Sequence, residues 1–167
     1  LITDYPKITY AIGGGGHDLK RLQTIAHELN VQEHILWLGK ISPPMRSALF
    51  MHSDLYVMPT RLEDRSVEGF GISYIDAAWF GVPSIASGIG GATDAVIDGE
   101  TGVIIKDTDV QSVTDAIKRV LSDDILRSRL GGAARMRAQN ELSWGQQIHQ
   151  LKAFIDEAHL YFKHRQS

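Results

Sequence analysis

The chain has 167 residues, of which 43% are hydrophobic and 22% charged, and its formal net charge is −3. This composition is typical of a globular domain and excludes a disordered chain, and a domain of this size buries about two-thirds of its unfolded surface. The small negative charge gives no electrostatic reason to expect a nucleic-acid partner. Cysteine is absent, which excludes disulfides and thiolate metal sites and fits a reducing compartment.

Short apolar runs alternate with helical patterns along the whole chain. The predicted strands cover residues 8–12, 34–38, 54–58, 83–86 and 102–105. The predicted helices cover residues 18–30, 42–52, 72–80, 91–97, 109–121, 123–139 and 143–163. This alternation predicts an α/β fold, a parallel sheet covered by helices on both faces in three Rossmann-like layers. No apolar run reaches the roughly 20 residues that a membrane helix needs.

Ligands of parallel sheets bind beyond the carboxyl ends of the strands. The loops expected at that edge cover residues 13–16, 39–44, 59–71, 87–91 and 106–109. The third of these loops is acidic and leads through Glu-Gly-Phe-Gly into the helix predicted at 72–80. This placement predicts that the acidic loop and its helix form the functional edge of the domain.

Two acidic residues stand out beside this loop. Glu68 precedes a pair of glycines at the mouth of the helix, where a polar, phosphate-bearing ligand could approach the backbone. The alternative interpretation is an acid that only complements the helix dipole. Asp76 lies eight residues later, on a largely apolar helix. We therefore expect its carboxylate to have a partner in the protein or in a ligand.

The run of four glycines at 13–16 does not carry a dinucleotide fingerprint. The third glycine of G-x-G-x-x-G would fall on Asp18 or Leu19, and the following strand ends without an acidic residue to bind a ribose. A nicotinamide-dependent dehydrogenase is therefore disfavoured. The run is interpreted either as a turn that needs positive φ or as a ligand contact.

The histidines and the late arginines are further candidates for functional sites. The seven histidines form no H-E-x-x-H or related arrangement, so they are interpreted as structural or surface residues and no metal site is predicted. Four arginines collect at positions 127, 129, 135 and 137. They are interpreted as a solvated helix face, with a patch for anionic lipid headgroups as the alternative.

An ordered set of short motifs runs through nearly the whole chain. The motifs are YAIGGG at 10–15, ILWLG at 35–39, SDLYVMPT at 53–60, EGFG at 68–71, GVP at 81–83, GG at 90–91, DGETG at 98–102 and LSW at 142–144. Together they resemble the retaining glycosyltransferases of family 4, the group 1 transferases of the GT-B fold. The resemblance implies the C-terminal, donor-binding half of a two-domain enzyme.

The resemblance also implies roles for particular residues. Glu68 would hold the hydroxyls of the donor sugar and is the implied catalytic residue, and Asp76 would accept hydrogen bonds from the ribose. The backbone amides that would meet sugar and phosphate oxygens belong to Gly69, Phe70, Gly71 and Ile72, and the residues that would border the base are Ile41 and Arg46. A carboxylate suits vicinal hydroxyls, and glycine amides approach an anion closely.

The implied reaction is a retaining transfer of a hexosyl group from a UDP- or GDP-type sugar to a glycan or lipid-linked acceptor. No cofactor other than this donor substrate and no metal in this domain are implied. The resemblance places the enzyme in the cytoplasm, with peripheral contact at the membrane face as an option.

The chain departs from the family pattern in several places. Asp76 and Asp94 stand where the family usually has Glu. The family's first strand, with the Arg and Lys that neutralise the diphosphate, and its acceptor-binding domain would precede Leu1. We therefore interpret the chain as a single domain excised from a longer protein and inactive alone, with a gap in its sheet unless another segment or chain fills it.

Two other functions stay open at this point. A non-catalytic module that binds sugar nucleotides fits the Asp76 replacement, and a sugar-nucleotide epimerase of the same architecture is the less favoured option. The C-terminal helix from Ser143 has apolar residues at helical spacing. It is expected either to cross to the other domain or to pack on this sheet.

Overall fold

The computed structural model describes residues 1–60, 69–106 and 108–165, with side chains in the last helix described through residue 156 except at Gln150. The chain divides into two compact units, Leu1–His52 and Ser53–Ser167. The expectation that residues 1–167 act as one donor-binding domain stays a prediction.

The first unit is built on two parallel strands. Its elements are β1 (Tyr10–Gly13), α1 (Leu19–Glu28), a 3₁₀ turn (Gln32–His34), β2 (Ile35–Gly39) and α2 (Pro43–Met51). α2 begins as predicted, because the Ser42 hydroxyl accepts a hydrogen bond from the Met45 amide at 3.4 Å and Pro43 follows it. Nδ1 of His34 lies 2.9 Å from the Ile8 carbonyl oxygen, which supports the structural interpretation of this histidine.

The second unit holds a three-stranded parallel sheet in the order β3-β4-β5. Its elements are β3 (Tyr56–Met58), α3 (Ile72–Trp79), β4 (Ser84–Ser87), α4 (Ala92–Ala95), β5 (Gly102–Ile105), α5 (Val110–Leu121), α6 (Asp124–Asn140) and α7 (Trp144–Arg165). Every strand pair is parallel, as predicted. Over the described ranges the strands form two separate ladders, of two and three strands, and the strand expected before Leu1 stays a prediction.

Successive residues of β3, β4 and β5 point to opposite faces of this sheet, which gives it two cores. On one face Ile85 packs with residues of β5, α5 and α6: Val103, Ile105, Ala116, Val120 and Leu130. On the other face Ala86 packs with residues of α3 and α4 and the segment after α4: Tyr74, Ala92, Ala95 and Val96. The predicted covering of both sheet faces by helices is therefore confirmed in this unit.

α6 also packs closely against α3. Ala78 of α3 lies in one buried cluster with Ala134 and Ala138 of α6. One turn earlier on α6, a Cβ added at Gly131 would overlap the Gly81 carbonyl oxygen and lie 3.3 Å from Cδ of Pro83. Small residues at i, i+3 and i+7 on α6 therefore let the backbones of the two segments approach each other.

α7 does not bury its apolar residues in the described part of the chain. Five of them are exposed by 43–81%: Trp144, Ile148, Leu151, Phe154 and Ile155. The alternative that this helix packs its apolar face on the sheet is therefore wrong for these side chains. None of the described helices combines the length and apolar character needed to cross a membrane.

Two adjacent glycines of α6 provide a matched test of this packing. Gly131→Ala should destabilise the protein by about 1–3 kcal/mol, because the new methyl group meets the Gly81 backbone. Gly132→Ala places its methyl group in open space and should stabilise the helix by about 0.5–1 kcal/mol. Urea unfolding of both variants measures the difference. Equal stabilities would contradict the close approach of α6 to the turn that follows α3.

Candidate functional site

The mouth of α3 is formed by a glycine in the left-handed conformation. Gly71 is the N-cap residue, with φ +76° and ψ +57° and without a side-chain cap among the described residues. Its carbonyl oxygen accepts a hydrogen bond from the Tyr74 amide at 2.9 Å. The first amides of a helix have no partner within the helix, and the helix dipole favours an anion beside them. This end of α3 is therefore suited to phosphate or sugar oxygens.

The backbone of the β4–α4 connection lies directly against the segment that leads into α3. A Cβ added at Gly91 would overlap the Gly69 carbonyl oxygen and would lie 2.7 Å from Cα of Phe70. Only a glycine fits at position 91 without displacing that backbone. The contact therefore fixes the position of the backbone that leads into Gly71.

The carboxyl ends of β3 and β4 are joined to each other and to α3 by hydroxyl groups. The hydroxyls of Thr60 and Ser87 are 2.8 Å apart, and Ser87 is completely buried. The buried Tyr74 hydroxyl donates a hydrogen bond of 2.5 Å to the Met58 carbonyl oxygen. The Tyr74 ring also packs edge-on against Tyr56, with 5.7 Å between the ring centroids. These contacts hold α3 rigidly at the end of β3.

The predicted donor-site residues of the second unit that the structure describes lie at this helix mouth or one turn beyond it. Gly69, Phe70 and Gly71 lead into α3 and Ile72 is its first residue, and the side chains of Phe70 and Ile72 are exposed. Asp76 lies one turn further along α3, and its Oδ2 atom is shielded from solvent. Glu68, the predicted catalytic residue, lies outside the described residues.

The two residues predicted to border the base lie in the first unit. Ile41 follows β2 and fills the space beside Gly13, where a Cβ would come within 2.6 Å of the Ile41 Cδ1 atom. Arg46 is exposed in α2, and its amide donates to the Ser42 carbonyl oxygen at 2.9 Å. Of the four glycines at 13–16, Gly14 alone has positive φ, at +141°. The positive-φ interpretation therefore applies to one residue of that turn.

The arginines of α6 are not simply a solvated face. Three of them bind protein oxygens: Arg127 contacts Asp124 and the Leu121 carbonyl, Arg129 the Gly99 carbonyl, and Arg137 the Asp94 and Ala95 carbonyls. The interpretation as a solvated face is therefore wrong for Arg137, whose side chain is largely buried, whereas Arg129 is exposed. The alternative of a patch for anionic lipid headgroups stays a prediction.

The remaining loop at the carboxyl edge is used to begin a helix. The Asp109 carboxylate accepts hydrogen bonds from the amides of Gln111 and Ser112 at the start of α5. The Ser112 hydroxyl, and next its amide, lower the pKa of this carboxyl. Within the described ranges no three His, Asp or Glu side chains lie close enough together to hold a metal ion.

Sequence reasoning missed several residues that build this site. Thr60 and Gly91 were predicted only as parts of motifs and Ser87 only as part of a loop, and Arg137 was predicted to lie on a solvated face. A signal for Arg137 did exist. It lies on the same face of α6 as Ala134 and Ala138, and a charged residue on a buried helix face is expected to have partners.

Comparisons with known proteins agree with this geometry. The family model for "Glycosyl transferases group 1" matches residues 1–137. A GDP-mannose-dependent alpha-(1-6)-phosphatidylinositol monomannoside mannosyltransferase of Mycolicibacterium smegmatis is 37% identical over 141 residues, which are 83% of this chain and 37% of the relative. A glycogen synthase of Mycobacterium tuberculosis is 31% identical over 140 residues, 84% of this chain and 33% of the relative.

Solved structures show the same fold. A sucrose-phosphate synthase of Thermosynechococcus elongatus has a TM-score of 0.76 and 26% identity over 91% of this chain and 39% of its own. Anabaena HepE in complex with UDP-glucose has a TM-score of 0.80 and 20% identity over 91% of this chain and 42% of its own.

The chain spans about two-fifths or less of the length of these relatives. The family match covers most of the chain, and the parallel α/β units agree with the solved structures. The chain belongs to the glycosyl transferases group 1 family and has the Rossmann-like fold of GT-B glycosyltransferases.

Proposed function

We propose that this chain is the donor-binding half of a retaining hexosyltransferase that uses a nucleotide-diphosphate sugar. The observation that carries the proposal is the mouth of α3, where a left-handed glycine replaces a capping side chain. The Gly91 backbone supports this mouth by direct contact. Amides held in this way at a helix N-terminus can bind the oxygens of a sugar diphosphate without reorganising.

The relatives suggest which donor to test first. The Mycolicibacterium smegmatis relative is a GDP-mannose-dependent mannosyltransferase, as is a 31% identical relative from Corynebacterium glutamicum. We therefore propose GDP-mannose as the first candidate donor, with UDP-glucose as the comparison. Both relatives act on phosphatidylinositol mannosides by name, which makes a lipid-linked glycan the proposed acceptor class. The acceptor would bind to the remainder of the full-length polypeptide, at the cytoplasmic face of a membrane.

Each predicted site residue has a role in this proposal. Glu68 would bind the hydroxyls of the donor sugar, and Asp76 would bind the ribose hydroxyls. The amides of residues 69–72 would bind the phosphate and sugar oxygens of the donor. Ile41 and Arg46 would border the base. The protein would act by positioning the donor and by stabilising the departing diphosphate electrostatically. We propose that this needs no metal bound by this domain and no further cofactor.

The aspartate at position 76 is compatible with a second function. An aspartate is one methylene shorter than the glutamate that the family resemblance leads one to expect, so its reach to a ribose is shorter. A non-catalytic sugar-nucleotide binding module would tolerate such a change. Turnover in the full-length protein distinguishes the two functions, because a module would bind the donor without transferring the sugar.

Glu68→Gln tests the proposed sugar contact in the full-length protein. The substitution keeps the size of the side chain and removes its charge, so kcat/KM for the donor should fall about 10- to 100-fold, the worth of a charged hydrogen bond. Glu100→Gln removes an exposed carboxylate from a turn and should leave kcat/KM unchanged. Steady-state kinetics with GDP-mannose and UDP-glucose measures both. Full activity in the Glu68 variant would remove this residue from the site.

Gly91→Ala tests the support of the α3 mouth. The added methyl group should displace the backbone at Gly69 and Phe70. The affinity for the sugar donor should fall by about tenfold or more, because displaced amides lose their hydrogen-bond geometry. Gly88→Ala lies in the same connection, where the new methyl group would be 3.5 Å from the Ile104 side chain, an ordinary contact. Calorimetric titration with the donor should therefore show weak binding only in the Gly91 variant. Equal affinities would show that donor binding does not depend on this contact.

A further inference from the structure

We propose that Arg137 is a positioning residue for the donor site, acting through α4, an inference that rests on the proposed function. Arg137 belongs to α6 and does not contact the mouth of α3 in any interaction described above. Its guanidinium instead holds the far end of the short helix whose near end supports that mouth.

The guanidinium of Arg137 binds the carboxyl end of α4 with two nitrogens. Nη1 donates to the Ala95 carbonyl oxygen at 2.7 Å and Nη2 to the Asp94 carbonyl oxygen at 2.8 Å. Nε lies 3.3 Å from the carboxylate of Glu141, one turn later on α6. The side chain is only 16% exposed. It is thus a largely buried cation with two hydrogen bonds to α4 and a carboxylate close to its Nε atom, to which Nε donates no hydrogen bond.

α4 needs such support because it is a single turn. It contains four residues, Ala92–Ala95, and one turn is unstable alone because helix nucleation is unfavourable. The last carbonyl groups of a helix have no partner within it, and a cation beside them is favourable. Arg137 supplies both the hydrogen-bond donors and the charge. A planar guanidinium can reach two neighbouring carbonyls at once, which the single ammonium of lysine does less well.

The amino end of α4 carries this constraint to the donor site. Gly91 immediately precedes Ala92, and its backbone lies against Gly69 and Phe70. Those two residues lead directly into Gly71, the cap of α3. Every step from Arg137 to the α3 mouth is therefore a hydrogen bond, one helical turn or a direct backbone contact. A shift of α4 after loss of the guanidinium would move the surface on which the donor-binding amides rest.

Arg129 provides a matched control on the same helix. Its Nη1 donates to the Gly99 carbonyl oxygen at 3.1 Å, so it also fastens α6 to a turn, but to one beyond α4. A structural arginine of α6 and a positioning arginine of the donor site can therefore be separated by the same substitution at the two positions.

The experiment compares Arg137→Met, Arg137→Lys and Arg129→Met in the full-length protein, with GDP-mannose and UDP-glucose as donors. We expect Arg137→Met to raise the donor KM about tenfold with a smaller change in kcat. The lysine variant should lie between it and the parent, and Arg129→Met should stay within about twofold of the parent. If Arg137→Met does not fold, the lysine variant carries the comparison. A donor KM in the Arg137 variants equal to that of Arg129→Met would overturn the proposal.

NMR spectra of protein labelled selectively with ¹⁵N-glycine add a measurement that a change in overall stability alone does not alter. The Gly91 amide signal should shift in Arg137→Met without any donor and stay in place in Arg129→Met. The donor-induced shifts of Gly69 and Gly71 should shrink in Arg137→Met alone. Unchanged glycine signals in an active Arg137→Met variant would contradict the route through α4. If the parent protein binds neither donor, yet the Gly91 signal shifts in Arg137→Met, the proposed function is overturned while the Arg137–α4 contact stays in place.

Discussion

The backbone contact between Gly91 and the Gly69–Phe70 segment is the constraint on which the candidate site depends. No side chain fits between these two backbones, so the turn after β4 sets the position of the backbone that leads into α3. The left-handed Gly71 then begins α3 without a capping side chain. Two glycine turns that are distant in sequence thus meet at the start of one helix. Uncapped amides beside a helix dipole are suited to the oxygens of a sugar diphosphate.

α6 supports this surface from behind. Gly131, Ala134 and Ala138 allow its close approach to α3 and the turn that follows it, and Arg137 on the same side grips the end of α4. The site therefore rests on a helix that contributes no group to it. Between these elements lies a cavity of only about 10 Å³, room for at most one water molecule.

The sequence predicted those features of the fold that depend on short stretches of residues. The strands, the Ser42 cap and the glycine turns follow from apolar runs and from residues with special backbone geometry, and the structure shows them within a few residues of their predicted bounds. The helix face of Arg137 indicates that it has a partner but not which one, because its partners lie 42 and 43 residues away. The spacing of α7 predicted an apolar face but not what covers it, and its described apolar side chains are exposed. Local sequence specifies an element and its faces, whereas long-range partners depend on how the elements pack.

The most direct test of this account is a crystal structure of the full-length protein with an intact nucleotide sugar. The account predicts sugar or phosphate oxygens within about 3.2 Å of the amide nitrogens at the α3 mouth, between Gly69 and Ile72. It also predicts that Gly91 stays against the Gly69–Phe70 backbone and Arg137 on the Ala95 carbonyl. A donor bound elsewhere, with no phosphate or sugar oxygen at these amides, would contradict the central claim.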